Sequence, residues 1–219
     1  MRNVEELYSS KPSEYFENFR SEILPLLPRK SSSVFEFGCG AGDTLNYLKS
    51  NGICDWAGGI ELFPDAAQSA RAKDLDLIIE GDVEFVQIPI EKNSLDVILC
   101  LDVLEHLSDP WRIVELLTTF LKPGGTVISS IPNVRHYSVV GPLLIKGAWK
   151  YTDHGLLDRT HLRFFTKNTA IQLLESSGLD VLQINSTGIQ GKAAIANACT
   201  LGFFRPFFEF QYLLRAVKT

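Results

Sequence analysis

The chain lacks any cysteine pattern that would build a metal or disulfide scaffold. Its four cysteines, Cys39, Cys54, Cys100 and Cys199, lie far apart and form no Cys-x-x-Cys pair. Zinc sites and disulfide frameworks need cysteines at characteristic spacings, so both are disfavoured. We interpret the cysteines as reduced and mostly buried thiols.

The chain also lacks a basic excess and long apolar runs. Its 219 residues carry 21 Lys and Arg against 26 Asp and Glu, a formal net charge of −5. Nucleic-acid binding depends on basic residues that release counterions from phosphates. Neither the apolar core of a signal peptide nor a run of transmembrane length is present. We therefore predict a cytoplasmic protein with no nucleic-acid partner and no transmembrane segment.

What the chain does have is the composition of a folded domain, with 45% hydrophobic and 21% charged residues. Predicted strands alternate with predicted helices, which implies a doubly wound α/β fold: a mostly parallel, seven-stranded sheet with helices on both faces. The predicted parts of this single domain are a lead-in helix in residues 1–30, a cofactor-binding half in 31–131, a lid or substrate loop after strand five in 132–165, and C-terminal helices with the last two strands in 166–219.

Capping signals locate several helices. Asp43 can cap the helix DTLNYLKSNG, and Gly52 can end it. Pro110 stands at a first helical position behind Asp109, and Thr166 can cap KNTAIQLLESSG.

The two ends of the chain are predicted from periodicity and proline. Helical spacing of apolar residues predicts a helix over Ser13–Leu27. Near the C-terminus we predict a helical piece broken at Pro206, followed by a strand from about Phe210 to Ala216. The aromatic segment 201–210 either packs over the sheet or touches a membrane surface or a partner.

The sharpest signal is EFGCGAG, directly after a strand and before a helix. Gly38, Gly40 and Gly42 permit a tight turn and close approach of a ligand to the positive end of a helix. Dinucleotide-binding folds use a related loop, but the position of their third glycine is Asp43 here. Glu36 and Asp43 would repel a pyrophosphate and suit a ligand with sulfonium and ammonium groups, such as S-adenosylmethionine.

Further acidic residues follow the next strands. Glu61 ends the second strand about twenty residues beyond the loop, where it can accept hydrogen bonds from both ribose hydroxyls. Asp82, after the third strand, is placed to reach an adenine amino group, beside the apolar contact Val83. After the fourth strand, LDVLEHL brings Leu101, Asp102 and Leu104 to the carboxyl edge of the sheet.

The ordered set EFGCGAG, GIEL, EGDVE, LDVLEHL and KPGGTVISSIPN resembles the class I S-adenosylmethionine-dependent methyltransferases, specifically a branch with an LEHL motif. One departure is that Glu36 replaces the aspartate usual in the loop. The resemblance implies that the glycine loop lines the methionyl group, Glu61 the ribose and Asp82 the adenine. The predicted cofactor-binding residues are Glu36, Gly38, Cys39, Gly40, Gly42, Glu61, Leu62, Asp82, Val83, Leu101, Asp102 and Leu104.

Two of the carboxylates near the cofactor have a structural alternative. Asp43 is interpreted as a helix cap in preference to a ligand. Asp102 can equally act as an acceptor that orders its loop.

Methyl transfer is an in-line displacement that needs a base only when the acceptor is protonated. For a hydroxyl acceptor a histidine would serve, and we predict His106, His154 and His161 as catalytic candidates. The alternative for His106 is that it fixes its loop by bonding to backbone.

The segment WKYTDHGLLDRTHLRFFT resembles methyltransferases associated with glycosyltransferases, which share the pattern D-x-G-x-x-D-x-T-H-x-R-x-F. The resemblance implies a sugar-like or other small polar acceptor, with Tyr151, Asp158, Arg159 and Arg163 as substrate-binding residues. Alternatively, Asp158 and Arg163 pair to order the loop. A metal site formed by Asp153, His154, Asp158 and His161 is conceivable, but we predict no metal.

The predicted function is therefore O-methylation of a small, sugar-like or otherwise hydroxylated molecule by a monomer or homodimer. A quinone, phenol or nitrogen acceptor is the alternative within the same class. A catalytically silent module that binds the cofactor, and an NAD-dependent oxidoreductase, are the alternatives from other classes.

Overall fold

The computed structural model describes residues 19–189 and 191–219. Its strands are, in chain order, β1 Ser31–Phe37, β2 Cys54–Glu61, β3 Leu77–Glu80, β4 Leu95–Leu101, β5 Leu121–Pro132, β6 Leu179–Thr187 and β7 Gln211–Lys218. Its α-helices are α1 Asp43–Ser50, α2 Pro64–Arg71, α3 Pro110–Phe120, α4 Tyr137–Lys146, α5 Lys167–Glu175, α6 Gly191–Cys199 and α7 Arg205–Phe208. Two short 3-10 helices cover Ser21–Leu26 and Leu104–His106.

The seven strands form one sheet in the order β3-β2-β1-β4-β5-β7-β6. Strands β1 to β5 pair in parallel, whereas β7 lies antiparallel to both β5 and β6. The mostly parallel, seven-stranded sheet is thus confirmed. The chain turns outward from β1 to β3 and then returns to β4 on the other side of β1. Ligands of such sheets bind at this switch point, beyond the carboxyl ends of the strands.

Helices cover both faces of the sheet because the central strands alternate their side chains. In β1, Phe35 and Phe37 are buried in the core under α3 and α5, whereas Val34 is buried in the core under α1 and α2. Full burial of each such side chain contributes about 1.5–3 kcal/mol relative to exposure. Hydrophobic residues on both faces therefore hold β1 and β4 centrally, where the glycine loop and LDVLEHL begin.

The predicted first helical position of Pro110 and the predicted cap Thr166 are confirmed. The side chain of Asp109 accepts a 3.1 Å hydrogen bond from the Arg112 N–H at the start of α3, with Pro110 as its first residue. Thr166 caps α5 in a capping box with Thr169. These local signals work because the cap satisfies backbone N–H groups that have no partner inside the helix.

Three predictions are corrected. Ser21–Leu26 forms a 3-10 helix containing Pro25, while residues 13–18 of the predicted lead-in helix lie outside the described residues. Residues 132–165 are no continuous loop, because α4 lies within them. Only Val139 of α4 is buried, so its apolar residues show no one-sided pattern. Pro206 is the second residue of α7 and does not break a helix, because its missing N–H is tolerated in a first turn.

The aromatic segment near the C-terminus is divided in its exposure. Leu201 and Phe203 are exposed, so these two side chains do not pack over the sheet as one interpretation expected. Phe207 instead lies under the guanidinium of Arg135, and Cζ of Arg135 is 5.0 Å from the centre of the Phe207 ring. Phe208 contacts Tyr137 of α4. Among the described residues, no helix is long and apolar enough to cross a membrane.

Candidate active site

The glycine loop connects β1 to α1 at the switch point. Gly38, Gly40 and Gly42 all have positive φ, at 68°, 54° and 78°, which L-residues with a side chain rarely adopt. A Cβ on Gly38 would lie 2.6 Å from Cγ2 of Val103, and one on Gly42 would lie 2.8 Å from Cδ1 of Leu75. Both space and backbone conformation therefore require glycine at these two positions.

Glu36 lies in β1 just before this loop and is almost fully buried. Its Oε2 atom has no hydrogen-bond partner. Burial raises the pKa of this carboxyl group to about 8, against the opposing effect of the Arg20 charge. A buried carboxylate without a partner requires a proton or a cation for compensation. The ammonium group of the predicted cofactor is a suitable cation.

Arg20, which sequence reasoning missed, lies beside the predicted cofactor residue Asp102. The Nη1 atom of Arg20 donates a 2.6 Å hydrogen bond to Oδ2 of Asp102. Asp102 also accepts from Ser130 and Gln211 through Oδ1, and its φ is 57°. These contacts match the loop-ordering alternative for Asp102. No local sequence signal marks Arg20, because its partner is 82 residues away.

Glu61, at the end of β2, is bound to the glycine loop. Its Oε2 accepts a 2.8 Å hydrogen bond from the Gly40 N–H, and its Oε1 accepts a 3.0 Å hydrogen bond from the Phe63 N–H. Burial raises the pKa of the Glu61 carboxyl group. Each carboxylate oxygen has a second lone pair, so these bonds leave capacity for ribose hydroxyls.

The remaining predicted cofactor residues line the carboxyl edge of the sheet. Asp82 follows β3, and its Oδ1 accepts a 2.8 Å hydrogen bond from the Glu84 N–H. The apolar members are buried or half-buried: Cys39, Leu62, Val83, Leu101 and Leu104. The fold therefore brings the predicted cofactor residues to one edge of the sheet, although these residues belong to four different strands or loops.

The capping role predicted for Asp43 is wrong. Gly42 occupies the N-cap position of α1 in a left-handed conformation, and Asp43 is the first helical residue. The Oδ1 atom of Asp43 accepts a 2.7 Å hydrogen bond from Nζ of Lys73 instead. Asp43 therefore pairs with Lys73, which is 30 residues away in the chain, and not with the N–H groups of its own helix.

Residues 160–163, in the second half of the predicted lid, are hydrogen-bonded to the LDVLEHL loop. The backbone oxygen of Glu105 accepts hydrogen bonds from the N–H groups of Leu162 and Arg163, both 2.9 Å. His106 Nδ1 lies 3.1 Å from the carbonyl oxygen of Thr160. His106 is thus bonded to backbone, as its structural alternative expected, and the lid lies against the cofactor half of the domain.

Two of the three candidate catalytic histidines come together. The rings of His106 and His161 have centroids 4.8 Å apart, with an angle of 75° between their planes. His161 is buried, and its Nδ1 lies 3.2 Å from the carbonyl oxygen of Leu156. His154 lies exposed on the turn that precedes Leu156, and the fold does not bring it into this pair.

The predicted substrate residues fall into two groups. Asp158 is buried and accepts hydrogen bonds from the N–H and hydroxyl of Thr160, so it orders the lid. Arg163 donates to the carbonyl oxygen of Ser108 and does not pair with Asp158. Arg159 is exposed, and its Nε atom lies 3.4 Å from Oδ1 of Asp153. Tyr151 is exposed as well.

Tyr151 belongs to a group of aromatic side chains that sequence reasoning did not assemble. We call Trp149, Tyr151 and Phe164 the aromatic shelf. Phe164 lies 5.1 Å from Trp149 and 6.4 Å from Tyr151, measured between ring centres. The ring of His161 is also 6.4 Å from Phe164. The shelf therefore adjoins the histidine pair and offers ring faces to a ligand.

Comparison with known proteins identifies the family of the chain. The chain matches a methyltransferase domain family over residues 11–184, most of its length, and it belongs to that family. A curated relative, the ubiquinone biosynthesis O-methyltransferase of Xanthomonas campestris pv. campestris, is 28% identical over 67% of this chain and 65% of the relative. The match therefore spans just under two-thirds of that relative's length.

Solved structures show the same fold. A S-adenosylmethionine-dependent methyltransferase from Archaeoglobus fulgidus gives a TM-score of 0.65 at 20% identity, covering 90% of each chain. One from Mesorhizobium loti gives 0.64 at 17% identity, covering 99% of this chain and 100% of that chain. The chain thus belongs to a methyltransferase domain family and shares the fold of these S-adenosylmethionine-dependent methyltransferases.

Proposed function

We propose that this methyltransferase methylates an oxygen atom of a small hydroxylated ring compound, with sugar-like acceptors as the first class to test. The observation that carries the proposal is the aromatic shelf beside His106 and His161. Ring faces of this kind bind the apolar face of a sugar or a planar ring. The neighbouring imidazoles suit a hydroxyl, which must lose a proton during methylation. The resemblance of the lid motif to glycosyltransferase-associated methyltransferases supports the same class.

The proposed cofactor contacts follow from charge and space. Near the glycine loop lie Glu36, whose ionised form an ammonium group favours, and the cationic Arg20, an arrangement that suits a methionyl group carrying an ammonium and a carboxylate. Glu61 is proposed to bind the ribose, and Asp82 with Val83 the adenine. When bound, S-adenosylmethionine supplies the methyl group from its sulfonium. The chain's own part is to orient the acceptor and to exclude water beneath the lid.

A phenol or quinone-like acceptor is the second candidate. It is favoured by the curated relatives named ubiquinone biosynthesis O-methyltransferase. It is also compatible with the aromatic shelf, because a phenol ring stacks on aromatic side chains as a sugar face does. The two candidates differ in how many hydroxyl groups the site must bind and in the polarity of the acceptor.

The deciding experiment is a transfer assay with S-adenosylmethionine whose methyl group carries deuterium. Nucleotide sugars, free sugars and dihydroxyphenols are incubated separately, and products are identified by mass spectrometry. Pairs of sugars that differ in one hydroxyl group locate the methylated oxygen. We expect a labelled O-methyl sugar. A labelled phenol ether alone would establish the second candidate.

Cofactor binding without turnover on any acceptor would favour the silent module and contradict the proposal. Calorimetric titration with S-adenosylhomocysteine provides the cofactor control for that comparison. A Glu61→Ala variant serves as the background reaction in the transfer assay.

A further inference from the structure

Three side chains that can bind a metal ion converge where the lid meets the LDVLEHL loop. Glu105, His106 and His161 each offer a ligand atom, and these atoms all lie within 4.8 Å of one another. This cluster shares only His161 with the set Asp153, His154, Asp158 and His161. Glu105 and His106 are adjacent on a 3-10 helix, whereas His161 comes from the lid. The tertiary fold therefore brings the cluster together, because residues 160–163 lie against the LDVLEHL loop.

Glu105 is the unusual member of this cluster. Its side chain is 1% exposed, and neither carboxylate oxygen has a hydrogen-bond partner. Buried carboxylates are normally hydrogen-bonded, paired with a cation or bound to a metal. The Glu105 carboxylate therefore needs a proton or a cation for compensation, and a bound metal ion is one such cation.

The hydrogen bonds of the two histidines determine which nitrogen carries a proton. Nδ1 of His106 faces the carbonyl oxygen of Thr160 at 3.1 Å, and Nδ1 of His161 faces that of Leu156 at 3.2 Å. A carbonyl oxygen only accepts, so each Nδ1 acts as the donor. In a neutral imidazole Nε2 is then the atom with a lone pair. Metal-binding histidines are typically oriented in this way, with one ring N–H donated to a carbonyl group.

We propose that Glu105, His106 and His161 bind one divalent transition-metal ion, with Zn²⁺, Co²⁺ or Fe²⁺ as suitable ions. Two imidazoles and one carboxylate form a donor set for these ions, whereas Mg²⁺ and Ca²⁺ prefer oxygen ligands. Neighbouring ligand atoms in a tetrahedral site are about 3.4 Å apart, given metal–nitrogen bonds of about 2.1 Å. Small side-chain rotations bring atoms within 4.8 Å to that distance.

Three protein ligands leave at least one coordination position open. His106 is the partly exposed member of the cluster, and the aromatic shelf adjoins His161. A hydroxyl oxygen of an acceptor on the shelf would be oriented by such an ion. This role rests on the proposed function, whereas metal binding itself does not.

The test uses the full chain without an affinity tag, treated with a chelator and then freed of it. Co²⁺ is titrated while visible absorption is recorded, because its d–d bands report nitrogen and oxygen coordination. Zn²⁺ is titrated by calorimetry and by its effect on Tm, since a ligand of the folded state raises Tm. We expect one ion per chain.

Three variants make the test specific. Glu105→Gln keeps the shape of the side chain and His161→Gln keeps a polar group, and each should weaken binding at least about tenfold. His154→Asn, an exposed histidine of the same lid, is the matched control and should leave metal binding unchanged. Circular dichroism and S-adenosylhomocysteine titration show whether each variant is folded.

Two results would overturn the proposal. One is wild-type protein that gives neither Co²⁺ bands nor a Zn²⁺-dependent rise in Tm. The other is binding that persists equally in Glu105→Gln and His161→Gln. If no acceptor is methylated but the protein still binds metal in a way that depends on Glu105, the result would count against the proposed function alone.

Discussion

Arg20 donates a 2.6 Å hydrogen bond to Asp102, joining the segment before β1 to the loop after β4. Asp102 has a φ of 57°, in the left-handed region, and its carboxylate accepts from Arg20, Ser130 and Gln211. The short acidic side chain tolerates this backbone conformation, and its partners stabilise it. One residue therefore sets the shape of the loop that carries both Glu105 and His106.

We expect Asp102→Ala to be less stable than Asp102→Asn. Both variants lose the charge that faces Arg20, but asparagine tolerates left-handed φ and can still accept a hydrogen bond. The free energy of unfolding should fall by about 1–3 kcal/mol for Asp102→Ala and by less for Asp102→Asn. Urea denaturation measures both. Equal losses would mean that the backbone conformation at residue 102 makes no separate contribution.

The raised pKa of Glu36 predicts a pH dependence of stability. In the folded protein this carboxyl group titrates at about 8, against 4.5 for the ordinary group. The folded state therefore holds a proton that the unfolded state releases, and the stability due to this group is lost as pH rises from 4.5 through 8. Glu36→Gln lacks this dependence. The wild type should lose stability relative to Glu36→Gln over that range, as measured by denaturation at each pH.

Cofactor binding should lower the raised pKa of Glu36. An ammonium group beside Glu36 favours the ionised carboxylate, so binding near pH 7 should release up to one proton. Calorimetry of S-adenosylhomocysteine in buffers of different ionisation enthalpy measures this release. A release that is unchanged in Glu36→Gln would assign it to another group.

Gly38 and Gly52 form a matched pair for the glycine loop. Their φ values are 68° and 67°, but a Cβ on Gly38 would lie 2.6 Å from Val103, whereas one on Gly52 meets nothing within 4 Å. Alanine at either position carries left-handed strain of about 1–2 kcal/mol. Only Gly38→Ala should lose additional stability and S-adenosylhomocysteine affinity. Adding Val103→Ala should recover part of that extra loss, and equal behaviour of both alanine variants would exclude the steric effect.

Removal of the Glu61 carboxylate should weaken cofactor binding. We expect Glu61→Ala to lose about 1–3 kcal/mol of S-adenosylhomocysteine binding free energy, because charged hydrogen bonds disappear. Glu61→Gln keeps one acceptor oxygen and should lose less. Calorimetry gives the affinities. Denaturation without ligand measures how much stability is lost with the bonds from Gly40 and Phe63, so that this loss can be distinguished from the loss of ribose contacts. Unchanged affinity in Glu61→Ala would refute the ribose assignment.

Histidine variants should affect turnover more than cofactor affinity. We expect His106→Ala and His161→Ala to lower kcat by about 100-fold or more, the usual range for assistance to proton transfer, whether an imidazole accepts the proton itself or binds the proposed metal ion that orients the hydroxyl. The S-adenosylhomocysteine affinity should change little. His154→Ala tests the third candidate, whose exposed position gives it no contact with the pair. Full turnover by all three variants on the true acceptor would disprove histidine catalysis.

The amino-acid sequence by itself determined the sheet, most helices and the sheet edge at which the proposed cofactor residues lie. These depend on local signals: apolar strands, capping residues such as Asp109 and Thr166, and glycines that a tight turn requires. Neighbouring residues in the chain supply the physical cause in each case, so one window of sequence is sufficient. Helix α4 was missed because its apolar residues are mostly exposed, which removes the one-sided pattern that marks a buried face.

Tertiary structure alone decided which polar groups meet. The Lys73–Asp43 and Arg20–Asp102 contacts join residues 30 and 82 positions apart, and His161 lies beside Glu105 and His106 although it is 55 residues further along the chain than His106. No local pattern encodes such pairs, because their free energy comes from burial and charge compensation in the folded chain. The sequence therefore predicted the reaction class, whereas the partners of its buried charges required the fold.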